Sequence, residues 1–321
     1  MDEKNETISY LSHCKICGND NLKKVIKLNE QYISATFIKS NLESDLKKIK
    51  TPLTLLLCVD KNGTKACGHL QLHEIINPDL LYTNYFYRSA TSDTMRKDLK
   101  DVTDSVVKIV KPNAEDIVVD TGSNDCTLLN FYTLGLRLVG FEPAKNIKYI
   151  DEGKNIKVIP NYFNAKNFKD NFNKKAKIVT SCAMFYDLEN PKSFVKDIEE
   201  ILDDEGIWCV QISYLLLMIK NMNFYDICHE HLSYHSIKSF ENLIKQFKLK
   251  IFNAEINEVN GGSIRLYVCK ENCEKYNSKN FFENLKKLRE EENAYKLEDE
   301  NTFFNFQEKI DVLKNKTNSY I

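Results

Sequence analysis

The sequence has no long apolar run. Its longest stretches of that kind, TPLTLLLCV and ISYLLLMI, fall far short of the roughly 18 residues a helical membrane span requires, so no transmembrane anchor is expected. The N-terminus, MDEKNETISY, is polar and lacks the apolar segment of a secretion signal. No block of basic residues stands out either. The 45 Lys and Arg are interspersed with 46 Asp and Glu, leaving a net charge of −1, and a chain so balanced has no electrostatic footprint for nucleic acid. An internal repeat is also missing. These absences predict a soluble cytoplasmic protein that partners neither membrane nor nucleic acid. Cysteine, by contrast, is plentiful, with 10 residues. Without an export signal these read as thiols or metal ligands rather than disulfides. With 42% apolar residues among 321, the chain can bury the core of two domains, or of one large domain with an appendage.

Four regions follow from the pattern. Residues 1–75 carry paired cysteines among short strand-like runs. Residues 76–112 form a connector, aromatic in YTNYFY and then helical in SDTMRKDLKDVTDSVVKIV. Residues 113–272 alternate strand and helix, with NIKYIDEG read as a short helix between two strands. In the clearest helix, NPKSFVKDIEEILDDEG, the apolar Phe194, Val195, Ile198, Ile201 and Leu202 recur at helical spacing. Pro191 opens that helix and Gly206 is expected to close it. The alternation predicts an α/β fold with a Rossmann-like, doubly wound parallel sheet. Two strands around Asn260-Gly261-Gly262 add an antiparallel edge. Residues 273–321 read as a charged helical tail without a core of its own.

The cysteines fall into pairs. Cys14-x2-Cys17 has the spacing of a zinc knuckle, while Cys58-x8-Cys67 is looser and spans DKNGTK, whose Asn-Gly predicts a hairpin turn. Four thiolates would hold a structural zinc with no open position for substrate; the bland alternative is two unrelated pairs of thiols. Further on, DIVVDTGSNDC places Gly122 at the end of the first strand of the alternating region, where open α/β sheets bind ligands. Asp120 stands just before the turn, suited to an ammonium group. Glu142 lies 20 residues past Gly122, in GFEPA, at a place where a carboxylate accepts ribose hydroxyls. No G-x-G-x-x-G cradle for a pyrophosphate is present. S-adenosylmethionine, with ribose and ammonium but no phosphate, fits better than a dinucleotide, unless the turn is only structural.

Taken in order, Cys-x2-Cys, the second pair before LQL, YxYxSxTS, GSND, FEPA, CHEHLSY and NGGSIR resemble the zinc-containing, S-adenosylmethionine-dependent sugar C-methyltransferases, including the group acting at C-3 of dTDP-linked keto-deoxysugars. The likeness runs from about residue 12 to about residue 315. It implies a zinc-binding domain (1–75), a connector (76–112), a class I methyltransferase domain (113–272) and the start of a C-terminal domain (273–321); either this sequence is a truncated piece, the gene is short, or a separate chain supplies the rest. It implies Cys14, Cys17, Cys58 and Cys67 as zinc ligands, and Asp120, Gly122, Ser123, Asn124 and Glu142 as the S-adenosylmethionine site. A nucleotide-linked sugar is the implied substrate. The implied base is His231 with Glu230 beside it, and Tyr85 and Tyr87 approach the same cleft. Cys126 departs from the family, which has glycine there, and a side chain at that place is expected to crowd the cofactor.

DICHEHLSYHS holds three of the six histidines. An imidazole near neutral pKa suits removal of the proton next to a sugar carbonyl. Glu230 would orient it, and Tyr85, Tyr87 or Tyr234 would donate to the enolate oxygen. His229 reads as structural and His235 as a surface residue at a helix start. NGGSIR is read as closing over the site, with Arg265 pairing an anionic ligand, or as a plain hairpin. Two other readings stay open: methylation of oxygen or nitrogen on another small molecule, and a catalytically degenerate, zinc-bearing interaction protein.

Overall fold

A computed structural model describes residues 7–34, 49–61, 65–133 and 135–320. The N-terminal region supplies β1 (Ile8–Tyr10), β2 (Leu22–Tyr32), β3 (Lys50–Cys58), β4 (Leu70–Leu72) and β5 (Glu74–Ile76). The connector holds α1 (Pro78–Tyr82) and α2 (Asp93–Val110). The central region runs β6 (Ile117–Thr121), α3 (Thr127–Asn130), β7 (Arg137–Phe141), β8 (Lys157–Ile159), α4 (Ala165–Lys169), β9 (Ala176–Cys182), α5 (Pro191–Ile201), β10 (Leu202–Ser213) and α6 (Leu215–Lys220). It continues with β11 (Ser233–Tyr234), α7 (Ile237–Ile244), β12 (Leu249–Asn257) and β13 (Ser263–Lys270), and the tail is α8 (Lys279–Tyr295) and α9 (Glu300–Asn318). The expected Asn62-Gly63 turn lies outside the described residues.

Seven strands form the main sheet in the order β12-β13-β10-β9-β6-β7-β8. Strands β6 to β10 run parallel, and β13 is reversed against both its neighbours. The reversed strand therefore lies one place in from the edge, which β12 forms. Strand side chains alternate between two buried faces: Ile117 and Val119 pack on one, Val118 on the other. Burial on both faces is what a parallel sheet covered by helices demands. Helix α2 covers the second face with Leu99, Val102, Val106 and Val110, is capped by the Ser92 side chain at the Met95 amide, and ends at Lys111 in the left-handed conformation. Strand order reverses between β6 and β9, so the crevice at their C-terminal ends is the place for a ligand. This is the class I methyltransferase arrangement, with a cysteine-bearing module in front of it.

Two expectations for this region change. NIKYIDEG is not helical: its own amides at Ile150 and Glu152 donate to Asp125 O and Asn130 Oδ1, and the Asp151 carboxylate turns the chain by accepting from Lys154, Asn155 and Ile156 just beyond it. The clear helix ends at Ile201, not at Gly206. Leu202 already pairs with Ala176 in the sheet, and Gly206 sits in the irregularity between Leu202 and Ile207.

The N-terminal module is a four-stranded sheet, β11-β4-β3-β2, and its last strand comes from the histidine stretch: Ser233 pairs with Gln71 and Tyr234 with Leu70. Its apolar side, including Leu55, Leu57, Leu70 and Leu72, joins the same core as Trp208 and Phe240. The tail adds to that core through Leu285, Leu288, Phe303, Phe306 and Ile310, and α9 reaches back to β2, where the Lys27 amide donates to Gln307 Oε1 at 2.8 Å. No helix among the described residues is long and apolar enough to cross a membrane.

Candidate active site

The Sγ atoms of Cys14, Cys17, Cys58 and Cys67 lie within 4.8 Å of one another, and none is in a disulfide. Cys14 and Cys67 are 3.4 Å apart at sulfur, Cys17 and Cys58 3.5 Å. Tetrahedral zinc–thiolate bonds of about 2.3 Å place sulfurs roughly 3.8 Å apart, so the four residues fit zinc. The knuckle closes where the Gly18 amide donates to Cys14 O and the Cys14 amide to Asn19 O. Gly18 does this at φ +77, in the left-handed region that a side chain resists. The looser pair closes as well, with the Cys58 amide donating to His69 O.

At the C-terminal edge of β6 and β7 opens a cavity of about 650 Å³, lined by Tyr85, Tyr87, Asp120, Gly122, Ser123, Asn124 and Glu142 among others. Seven of the residues singled out from sequence thus meet in one space. Asp120 is buried and accepts from Thr180 Oγ1 at 2.7 Å; burial pushes its carboxyl up to about 7, with the Thr180 hydroxyl opposing the rise. Glu142 accepts from the amides of Asn124 and Ala144, both at 2.8 Å, which fixes its carboxylate and leaves acceptor capacity toward the cavity. Gly122 holds φ +123, and a Cβ there would come within 3.2 Å of Met184. Asn124 fastens the aromatic connector to the turn, accepting from the Ser89 amide and donating to Tyr87 O. Asp125 does the same from the Ala90 amide. Cys126 does not crowd this space: its buried side chain joins the core with Leu129 and Tyr132.

Another part of the cavity wall was not apparent in the sequence. The turn after β9 brings Met184, Tyr186 and Asp187, and α1 brings Tyr82. Asp98 and Gln211 also line the cavity, bonded to each other at 2.5 Å. The signal was available: SCAMFYDL follows a strand at the ligand edge of a parallel sheet. Arg265 does not await an anionic ligand. Its guanidinium lies buried against Asp101 at 2.9 Å, Gln211 at 2.9 Å and Asp98 at 3.6 Å. Asn260 and Ser263 of the same segment do line the cavity.

His231 stands next to this wall rather than on it. Its ring packs 4.3 Å from that of Tyr186, and Nδ1 donates to Asp226 O at 2.8 Å. That bond leaves Nε2 as the acceptor nitrogen. Burial pushes His231 down to about 4, so the ring is neutral at neutral pH. The orienting partner expected from Glu230 is instead this backbone carbonyl. Glu230, raised by burial, exerts its charge on Tyr82, Tyr85 and Asp187. His229 ties the stretch to the N-terminal sheet, its ring accepting from the Ser34 amide and donating to Thr51 O. His235 is not at the surface. It is 1% exposed, packed on His69 and Phe185, because β11 draws it under the module before Ser236 caps α7.

Comparison with known proteins agrees with this layout. Residues 14–82 match a family model described as "Putative zinc binding domain", and residues 258–321 match one described as a C-methyltransferase C-terminal domain. The first match precedes the seven-stranded sheet, and the second begins before its last strand in sequence, β13, and runs through the tail. The C-methyltransferase NovU of Streptomyces niveus is 23% identical over 265 residues, 82% of this chain, and the chain spans 61% of that protein's length. Among solved structures, an S-adenosylmethionine-dependent methyltransferase from Clostridium acetobutylicum aligns over 56% of this chain and 93% of its own, with TM-score 0.44 and 13% identity. The magnesium protoporphyrin IX methyltransferase of Synechocystis aligns over 58% and 90%, with TM-score 0.42 and 11% identity.

Proposed function

We propose that this protein is an S-adenosylmethionine-dependent C-methyltransferase acting on a nucleotide-linked keto-deoxysugar. The observation that carries this reading is the single cavity in which Asp120, Gly122 and Glu142 meet an aromatic and acidic wall, in a chain whose C-terminal segment matches a C-methyltransferase model. S-adenosylmethionine, when bound, supplies an electrophilic methyl group whose departure leaves a neutral thioether. Asp120 would hold its ammonium and Glu142 its ribose hydroxyls, with Gly122 leaving room for it. Carbon becomes nucleophilic once a proton leaves the position next to a carbonyl, and His231 Nε2 takes that proton. His231 is not among the residues lining the cavity, so its access to the sugar would depend on a shift of the Tyr186 ring packed against it. Enclosure by Tyr82, Tyr85 and Tyr87 excludes water and aligns the carbon. A zinc ion held by Cys14, Cys17, Cys58 and Cys67 would be structural, since four thiolates leave no open position.

The test is incubation of the full chain with methyl-labelled S-adenosylmethionine and a panel of nucleotide-linked 4-keto-deoxysugars. Label bound to carbon supports the proposal. Label on oxygen or nitrogen, or no transfer to any sugar, overturns it.

A further inference from the structure

Among the described residues, nine buried side-chain nitrogen or oxygen atoms find no hydrogen-bond partner. Such orphans are rare in native proteins and call for a reason. Of the residues that carry them, only Tyr82 and Asp187 line the cavity. They reach it from different elements, Tyr82 from the last residue of α1 and Asp187 from the turn after β9. Tyr85 stands beside Tyr82, ring centroids 5.9 Å apart. We propose that Tyr82 Oη and the Asp187 carboxyl form a donor pair that binds the carbonyl oxygen of the substrate and the oxyanion it becomes when the neighbouring carbon is deprotonated. The inference rests on the carbon-methylation reading above.

The physical case is one of complementarity. An enolate oxygen in a water-poor site needs donors already in place. Tyrosine supplies one donor without changing its charge. A carboxyl supplies one only if it keeps its proton. Burial raises Asp187 well above the usual carboxylate range and the charge of Glu230 raises it further, against a smaller opposing pull from the Tyr82 hydroxyl, which stands within reach of the carboxyl without meeting full hydrogen-bond geometry. Burial likewise holds the Tyr82 hydroxyl well above its ordinary value. A neutral acid paired with a neutral phenol is a known solution to this problem. An ionised Asp187 would instead repel an oxyanion, so the two cases have opposite signs.

Phenols of graded acidity, 4-nitrophenol among them, are flat enolate mimics that report binding of the ionised form by absorbance. The full chain, loaded with zinc and S-adenosylhomocysteine, is expected to bind the phenolates. Tyr82→Phe and Asp187→Ala should each weaken that binding about 10- to 100-fold. Asp187→Asn, which keeps a donor in place, should retain most of the affinity. Calorimetric S-adenosylhomocysteine binding unchanged in the variants shows that they are folded. The pair is overturned if the wild type binds no phenolate, if all variants bind equally, or if Asp187→Asn and Asp187→Ala tighten binding, which would reveal an ionised carboxylate. Phenolate results as expected, with no keto sugar methylated at carbon, would leave the donor pair standing and remove the substrate reading. Carbon methylation with phenolate binding indifferent to both residues would remove the pair alone.

Discussion

Asp120 is a carboxyl with 3% exposure whose one charge-favouring bond, from Thr180, does not offset burial. Its folded pKa of about 7 lies above its ordinary value of 3.8. The folded state therefore holds this proton more tightly than the unfolded state does. The stability this contributes is complete below pH ~4 and is lost as pH rises through about 7. The ligand-free protein should accordingly lose Tm between about pH 4 and pH 7, the window those two values bracket, and Asp120→Asn should flatten that loss. Affinity for S-adenosylmethionine should rise over the same window, because a cationic partner selects the ionised form. Asp120→Asn should cost about 10- to 100-fold in calorimetric affinity at pH 8. An affinity that falls with rising pH would contradict the assigned role. Asp120 and Glu142 were legible in sequence because strand ends and a glycine turn confine where they can be. Asp187 and Tyr82 were not, since their meeting depends on where α1 is set by the packing of Leu81 on Ile33 and Ile76. His231 was legible as a residue but not in its surroundings: sequence adjacency suggested Glu230 as its orienting group, and the loop turned Asp226 O toward Nδ1 instead.

At the scale of elements, the charged tail illustrates what periodicity leaves open. Composition marked α8 as a solvated helix, yet Glu292 is 5% exposed and serves another helix. Its carboxylate accepts from the amides of Ile237 at 2.5 Å and Lys238 at 3.3 Å, the first turn of α7, and from Tyr214 Oη at 2.8 Å. One carboxylate thus satisfies unpaired donors at a helix N-terminus, where the helix dipole also favours negative charge. Glu292→Ala would strand two backbone amides and a hydroxyl in the interior. The expected loss is about 2–4 kcal/mol in a denaturant titration, with Glu292→Gln losing less. A loss below about 0.5 kcal/mol, the size of an ordinary surface change, would show the contact to be incidental. The same limit explains the misplaced helix end. Gly206 resembles a helix stop, but the chain turns into β10 four residues earlier and uses the glycine within a strand irregularity. Long amphipathic helices such as α2 and α5 were legible because their apolar spacing and caps agree; short segments were settled by side-chain bonds that no period reveals.

For the whole molecule, the two modules are joined by hydrogen bonds that run through the candidate site. Lys15, between the first two cysteines, donates from Nζ to Glu189 O at 3.0 Å and to Leu188 O at 3.5 Å, just after Asp187. The Leu232 amide donates to Tyr186 O, and the Leu72 amide to Leu232 O. The cysteine knuckle, the histidine stretch and the turn carrying Tyr186 and Asp187 are thereby one connected unit. Sequence separated the cysteine region as its own domain because nothing local shows that β11, some 160 residues downstream by the strand pairing, completes its sheet. The zinc site then has a consequence at a distance. Structural zinc supplies folding free energy outright, on the order of 10 kcal/mol in zinc-finger peptides, and its loss should release this unit before the parallel strands. Chelation of the zinc-loaded protein, or Cys14→Ser, should lower Tm by more than about 5 °C. Hydrogen–deuterium exchange should rise most at residues 184–189 and 226–235, with β6 and β7 still protected. Uniform exchange across both regions would mean that the cysteine module stabilises the fold globally and does not brace the site.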